Sequence, residues 1–142
     1  MRRLMPLARV ITPNIPEAEI LAGCSISGED VFDEIARKLS GNTGLSVLLK
    51  AGHLSGDSLV DYFYNAEDGT MTKLPSKRVH TRNTHGTGCT LSSAFAAALA
   101  KGEDLTAAAV SAKKYIEQAI ISGADYEIGG GHGPVNHFWS MG

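Results

Sequence analysis

The sequence predicts an α/β fold of three layers around a largely parallel central sheet. Three observations carry this. Two short apolar runs, residues 8–12 and 45–50, have the length and composition of buried strands. A stretch with helical spacing lies between them, and an apolar strand flanked by helices points to a parallel sheet covered on both faces. Further along, a glycine turn opens an alanine-rich helix that is followed by a second apolar-striped helix.

The elements follow in order. The first strand centres on Val10 and Ile11 and ends at Pro13. Thr12-Pro13-Asn14-Ile15-Pro16-Glu17 then starts a helix, with Pro16 at its first position, Asn14 as its cap and Glu17 in its first turn. Glu19 is expected to be solvated, and Ile20 and Leu21 close the helix at Gly23. Cys24 is expected to be structural. Ser27, three residues before Asp30, is a capping signal, and Val31, Phe32, Ile35, Ala36 and Leu39 mark one face of the next helix. After a loop at 41–44, Val47-Leu48-Leu49 form the centre of the second strand, which ends at Lys50. Ligands of open α/β sheets sit at strand ends, so Lys50 is a candidate phosphate contact, and His53 is assigned to structuring the loop. Residues 59–64 and 70–74 read as a hairpin around Glu67-Asp68-Gly69, with Asp57 and Asp61 as turn and edge residues. Residues 77–81 read as a further strand, with His80 on its surface. Leu105, Ala109, Ala112, Ile116 and Ile120 stripe a helix over 105–121, and the glycine-rich 126–137 reads as a structural closure.

Length and charge bound the function. A chain of 142 residues is expected to form one domain with a real core. Lys and Arg total 13 against 15 Asp and Glu, a formal charge of −2, which leaves no footprint for nucleic acid or an anionic membrane. No apolar run reaches transmembrane length, and the basic-then-apolar start is too short and too quickly broken for a signal peptide. Cys24 and Cys89 form no metal-ligand spacing, so a reduced, cytoplasmic protein is expected.

The stretch Asn83-Thr84-His85-Gly86-Thr87-Gly88-Cys89-Thr90-Leu91 organises the chain. Its glycines let the backbone turn tightly and approach a ligand. The first N–H groups of the following helix lack intrahelical partners, so Gly86, Thr87 and Gly88 can form an anion hole. Cys89 sits in that positive field, which favours its thiolate as a base or nucleophile. The alternative is an ordinary glycine turn with Cys89 as a small buried hydrophobe. His85 either reaches substrate or holds the loop through a backbone hydrogen bond. Leu91, Ala94, Phe95, Ala98 and Leu99 share one face of the helix.

The run from Asn83 to Ala94 resembles the signature of the hydroxymethylpyrimidine phosphate kinases of thiamine synthesis, within the ribokinase-like superfamily. Most of that superfamily has Asp where this branch has Cys, and Cys89 fits the branch. Thr12-Pro13-Asn14 with Glu17 resembles a second element of the family. Lys50-Ala51-Gly52-His53 resembles a third, departing from it by Ala51 in place of glycine. Gly129 to His137 resembles the closing element. The resemblance implies a ribokinase-like fold, present only in part, as the C-terminal half of the kinase domain. It also implies ATP with Mg²⁺ as cofactors and a small pyrimidine substrate. Cys89 is then the general base, with Lys50 and the Gly86-Thr87-Gly88 loop on the transferring phosphate, Asn14 and Glu17 at the magnesium, and Ala109, Val110 and Lys113 beside the nucleotide. A half-sheet leaves an open edge and apolar faces, which a homodimer or a complementary N-terminal-half chain would cover. A pyridoxal-type vitamin kinase, a non-catalytic remnant acting as a binding subunit, and an unrelated α/β domain are the alternatives.

Overall fold

The computed structural model describes residues 4–51 and 58–141. Residues 1–3 of the basic start lie outside the described residues, as do Gly52, His53 and Asp57. The chain forms two compact units, Met1–Ser76 and Lys77–Gly142.

The first unit runs β1 (Val10–Ile11), α1 (Ile15–Ala22), α2 (Phe32–Ser40), β2 (Ser46–Leu49), β3 (Ser58–Asn65) and β4 (Thr70–Lys77), with the strands in the sheet order β1-β2-β3-β4. Among the described strands β1 and β2 pair in parallel, Val10 opposite Ser46 and Ile11 opposite Val47. The two helices between them supply the long crossover a parallel pair requires. β2 and β3 are antiparallel, with Val47 opposite Tyr64, Leu48 opposite Phe63 and Leu49 opposite Tyr62. β3 and β4 are joined by a tight turn over residues 66–69, too short for anything but an antiparallel return. This corrects the expected largely parallel, partial fold: the sheet is mixed and mostly antiparallel, because its last two connections are too short to cross over.

The pleat explains the core. Val47, Leu49, Tyr62 and Tyr64 share one face and pack in a single cluster with Ile15 and Ala18 of α1 and Phe32, Ile35, Ala36 and Leu39 of α2. Leu48 and Phe63, on the other face, are also fully buried. Phe32 meets Tyr62 edge-on at 4.8 Å between ring centroids. Arg37 of α2 donates to Asp33 one turn earlier at 2.8 Å and lies 4.9 Å over the Tyr64 ring. Two acidic residues depart from expectation. Asp61 is buried, not a solvated edge residue, and accepts from the Ala51 N–H at 2.9 Å. Glu19 accepts from the Ile26 N–H at 2.8 Å and so pins the chain that leaves α1. Ile20, by contrast, is exposed.

The second unit holds α3 (Thr87–Ala100) and α4 (Leu105–Ser122), which pack on each other across a short link. Leu91, Phe95 and Ala98 are buried on α3, and Leu105, Ala108, Ala109, Ala112, Ile116 and Ala119 on α4. Ala94, Leu99 and Ile120 complete the expected stripes at half-buried positions. The Asp104 carboxylate caps α4 by accepting from the Ala107 N–H at 2.7 Å. The strand expected over 77–81 is absent from the described residues; β4 ends at Lys77. The Thr81 hydroxyl donates to the Ala124 carbonyl at 2.8 Å and accepts from the Asn83 N–H at 3.1 Å. Such local side-chain bonds compete with a strand ladder.

Phe32→Ala is expected to lower unfolding free energy by about 3–5 kcal/mol in urea titration, the usual cost of emptying an aromatic core site. A second outcome concerns pH. Burial, reinforced by the hydrogen bond its hydroxyl donates to the Glu29 carboxylate, pushes the Tyr62 phenol up to about 12. The folded state therefore holds this proton more tightly than the unfolded chain, whose phenols titrate near ~10. The contribution is complete below pH ~10 and is lost as pH rises through the folded value of about 12. Urea midpoints measured across that window should fall in the parent and fall less in Tyr62→Phe.

Candidate active site

The glycine loop is a helix N-terminus without a side-chain cap. Gly86 occupies the N-cap at φ 84°, a left-handed conformation that favours glycine, and no side chain closes the first turn of α3. The Thr87 hydroxyl and N–H both point back to the Thr84 carbonyl, at 2.7 and 3.3 Å. Thr87 therefore shapes the turn, while the N–H groups of Gly88 and Cys89 have no acceptor among the described residues. These two donors lie at the positive end of the helix dipole and suit an anion. Cys89 is exposed beside them, so the reading of it as a buried hydrophobe does not hold. Cys89, Ser93 and Ala97 follow one another along α3, with Lys101 at its C-cap. With Ser111 and Tyr115 of α4, and His137, they line a cleft of about 530 Å³.

Sequence reasoning missed what holds the loop. Asn83 is only 1% exposed. Its amide donates to the carbonyls of Gly123 at 2.8 Å and Tyr126 at 2.7 Å, which ties the entry to α3 to the exit from α4. A β-carbon added to Gly133 would lie 2.1 Å from the Asn83 Oδ1, so the closing glycine segment presses its bare backbone against that amide. The Oδ1 itself is buried without a hydrogen-bond partner. Two bonds extend the seam: the His85 N–H donates to the Gly133 carbonyl at 3.0 Å, and His132 Nδ1 lies 3.2 Å from the Arg82 carbonyl. His85 thus takes the loop-holding role. At the other end, His137 Nε2 is 2.9 Å from the Thr90 hydroxyl, and the Tyr115 hydroxyl donates to the His137 carbonyl at 2.6 Å. The motif signal for Asn83 was present, since it heads the glycine stretch, but its acceptors lie some 40 residues away.

In the first unit the structure brings Asn14 and Lys50 together. They are parallel-bridge partners at the ends of β1 and β2, and the Lys50 N–H donates to the Pro13 carbonyl at 2.9 Å. Asn14 and Glu17 form a reciprocal capping box: each side chain accepts from the other's backbone N–H at 2.8 Å. Each is thereby held at the strand end, and one Glu17 carboxylate oxygen has no hydrogen-bond partner among the described residues. Ala51 needs no left-handed backbone, since no described non-glycine residue has positive φ. In the second unit Ala109 is fully buried and Lys113 half-buried on α4.

The sequence pattern of the phosphomethylpyrimidine kinase family matches residues 1–136. The chain belongs to that family. This corrects the resemblance to a C-terminal half only: the match runs over nearly the whole chain, because it includes the strands and helices between the turn motifs as well as the motifs themselves. Among phosphomethylpyrimidine kinase relatives, the hydroxymethylpyrimidine/phosphomethylpyrimidine kinase of Rhizobium meliloti is 46% identical over 97% of this chain and 52% of its own length. The Haemophilus influenzae protein of the same name is 43% identical over 96% and 51%. The chain spans about half the length of the curated relatives it matches. An ADP complex of Bacillus subtilis pyridoxal kinase superposes with a TM-score of 0.84 at 36% identity, covering 97% of this chain and 51% of that one. The fold is thus the ribokinase-like α/β fold of these kinases. No helix among the described residues is long and apolar enough to cross a membrane.

The seam at Asn83 yields a paired test. Gly133→Ala forces a β-carbon into the Asn83 amide, whereas Gly130→Ala meets nothing within 4 Å. Thermal melts should show the first variant clearly destabilised and the second near the parent. Asn83→Ala should cost about 1–3 kcal/mol, since it strips the buried Gly123 carbonyl of its donor.

Proposed function

We propose that the chain is the phosphate-handling portion of a kinase that transfers a phosphoryl group from ATP to a hydroxymethylpyrimidine or its monophosphate. The observation that carries this is the uncapped α3 N-terminus. Within a chain of the phosphomethylpyrimidine kinase family, the N–H groups of Gly88 and Cys89 are left open at the glycine motif. In this reading those donors stabilise charge on the phosphoryl group, with Gly86 and Thr87 holding the turn that aims them. Cys89 takes the proton from the substrate oxygen. Lys50 contacts phosphate from the end of β2. Glu17 offers its remaining oxygen to magnesium through water, with Asn14 fixing its position; Mg²⁺ commonly keeps several waters and few carboxylates. Magnesium would supply charge neutralisation on the phosphates. Lys113 has surface to offer a nucleotide, and Ala109 supports it from the core. The remaining surfaces of the site come from a chain carrying the rest of the family's domain, or from a second copy.

A second reading, a pyridoxal-type kinase, is favoured by one observation. Solved structures similar to this chain include pyridoxal kinases of Bacillus subtilis and Staphylococcus aureus, at 36% and 30% identity. Assaying ATP-Mg²⁺ with hydroxymethylpyrimidine, its monophosphate and pyridoxal in parallel separates the two.

The chain alone is expected to bind ATP weakly and to turn over little, because a displacement of about 1 Å can cost about 10²-fold. Product formation should rise when the unmatched part of a relative is supplied; full activity from the chain alone would refute the incomplete-site reading. In the reconstituted assay, Cys89→Ala should retain ATP binding and lose ~10²–10⁴-fold in turnover. Parental turnover in that variant would leave Cys89 without a role as base.

A further inference from the structure

Lys50 stands where β2 stops being sheet, and two backbone bonds fix it there. The N–H groups of a central strand alternate between its two neighbours. Those of Ser46 and Lys50 go to the β1 side, to the carbonyls of Arg9 and Pro13, each at 2.9 Å. The Ala51 N–H therefore faces β3, and its acceptor there is a side chain, the Asp61 carboxylate at 2.9 Å. The Cα of Lys50 lies between these two anchored N–H groups. Holding both, on opposite sides, fixes the direction in which the Lys50 side chain leaves the backbone. The register explains why Asp61 is the residue within reach. Val47, Leu48 and Leu49 lie opposite Tyr64, Phe63 and Tyr62, so one further step sets Lys50 opposite Asp61. Directly opposed residues of an antiparallel pair are neighbours on one face.

An acid opposite a lysine would ordinarily pair with it. Here the two make no ion pair, and Lys50 is paired with no carboxylate among the described residues. Asp61 is instead only 5% exposed and turned to a backbone N–H. Burying a carboxylate is costly, and a charged acceptor on an N–H is one of the stronger hydrogen bonds that offset it. We propose that Asp61 is the positioning residue for Lys50. By holding the Ala51 N–H it sets the strand end from which Lys50 reaches the phosphates of a nucleoside triphosphate. By the same bond it is kept from pairing with the lysine, where it would compete with phosphate for the cation. Asn14, the bridge partner of Lys50 on the β1 side, places the capping box at the same strand end. What Lys50 contacts rests on the function proposed above; the bond that holds it does not.

The test is a double-mutant cycle on ATP-Mg²⁺ affinity, with the full chain titrated and the Gly88 and Cys89 amides followed by NMR. Lys50→Ala should weaken binding about tenfold, the loss of one hydrogen bond to a charged group. Asp61→Ala should weaken it by a similar factor. The two together should be no weaker than Lys50→Ala alone, because Asp61 acts through the lysine. Asp61→Asn should keep the parental affinity, since its amide oxygen still accepts from Ala51. Hydrogen exchange reads the bond itself: the Ala51 N–H should be protected in the parent and in Asp61→Asn, and exchange fast in Asp61→Ala. Circular dichroism melts establish that each variant is folded. Asp61→Leu, which also lacks an acceptor but fills the site, replaces Asp61→Ala if that variant does not fold. Parental affinity in the acceptor-less variant overturns the inference. So does a loss that persists undiminished in the Lys50→Ala background, or an Asp61→Asn as weak as Asp61→Ala. Each of these leaves the proposed function standing on the glycine loop. A parent chain that binds no ATP retires the proposed function, and the assignment of Asp61 with it.

Discussion

One buried amide sets the geometry of the second unit. Asn83 donates to carbonyls at the end of α4 and stands just ahead of the turn that begins α3. With its two donor hydrogens committed and Gly133 pressed against its oxygen, it fixes where three separate backbone segments meet. A glycine loop is intrinsically the most mobile part of a chain. Here it is anchored on one side by that amide and on the other by the contact of Thr90 with His137. The cost of ordering the loop is met before any ligand arrives, which is what a preorganised anion site requires.

The readiness of the loop for an anion is clearest by contrast with the other helices. Asn14 caps α1 and Asp104 caps α4, each with a side-chain oxygen on a first-turn N–H. In α3 the corresponding positions are Gly86 and small residues, and Gly88 and Cys89 keep their donors. The same chemical need, satisfying the first turn of a helix, is met internally twice and left open once. The capping box locks Asn14 and Glu17 to each other. Each spends one contact on holding the other, and the pair sits at a strand end beside Lys50.

What the sequence determined by itself is what short-range rules govern. The cap at Asn14, the tight turn at the glycine loop, the stripes of α2, α3 and α4 and the strand at Val47-Leu48-Leu49 all depend on residues within about four positions of one another. The uncapped first turn at the glycine loop was legible for the same reason, because its glycines and Cys89 are consecutive. The tertiary structure alone decided the rest. The mixed sheet follows from connections too short to cross over, which a reading of strands one by one does not weigh. Asp61 turns inward because the Ala51 N–H, just past the end of β2, needs an acceptor. The residues from Arg78 to Thr81 leave the sheet because Thr81 finds a partner at Ala124. For Asp61 and Thr81 the deciding partner lies outside the local window, so no local pattern announces it, and only the folded chain brings donor and acceptor within reach.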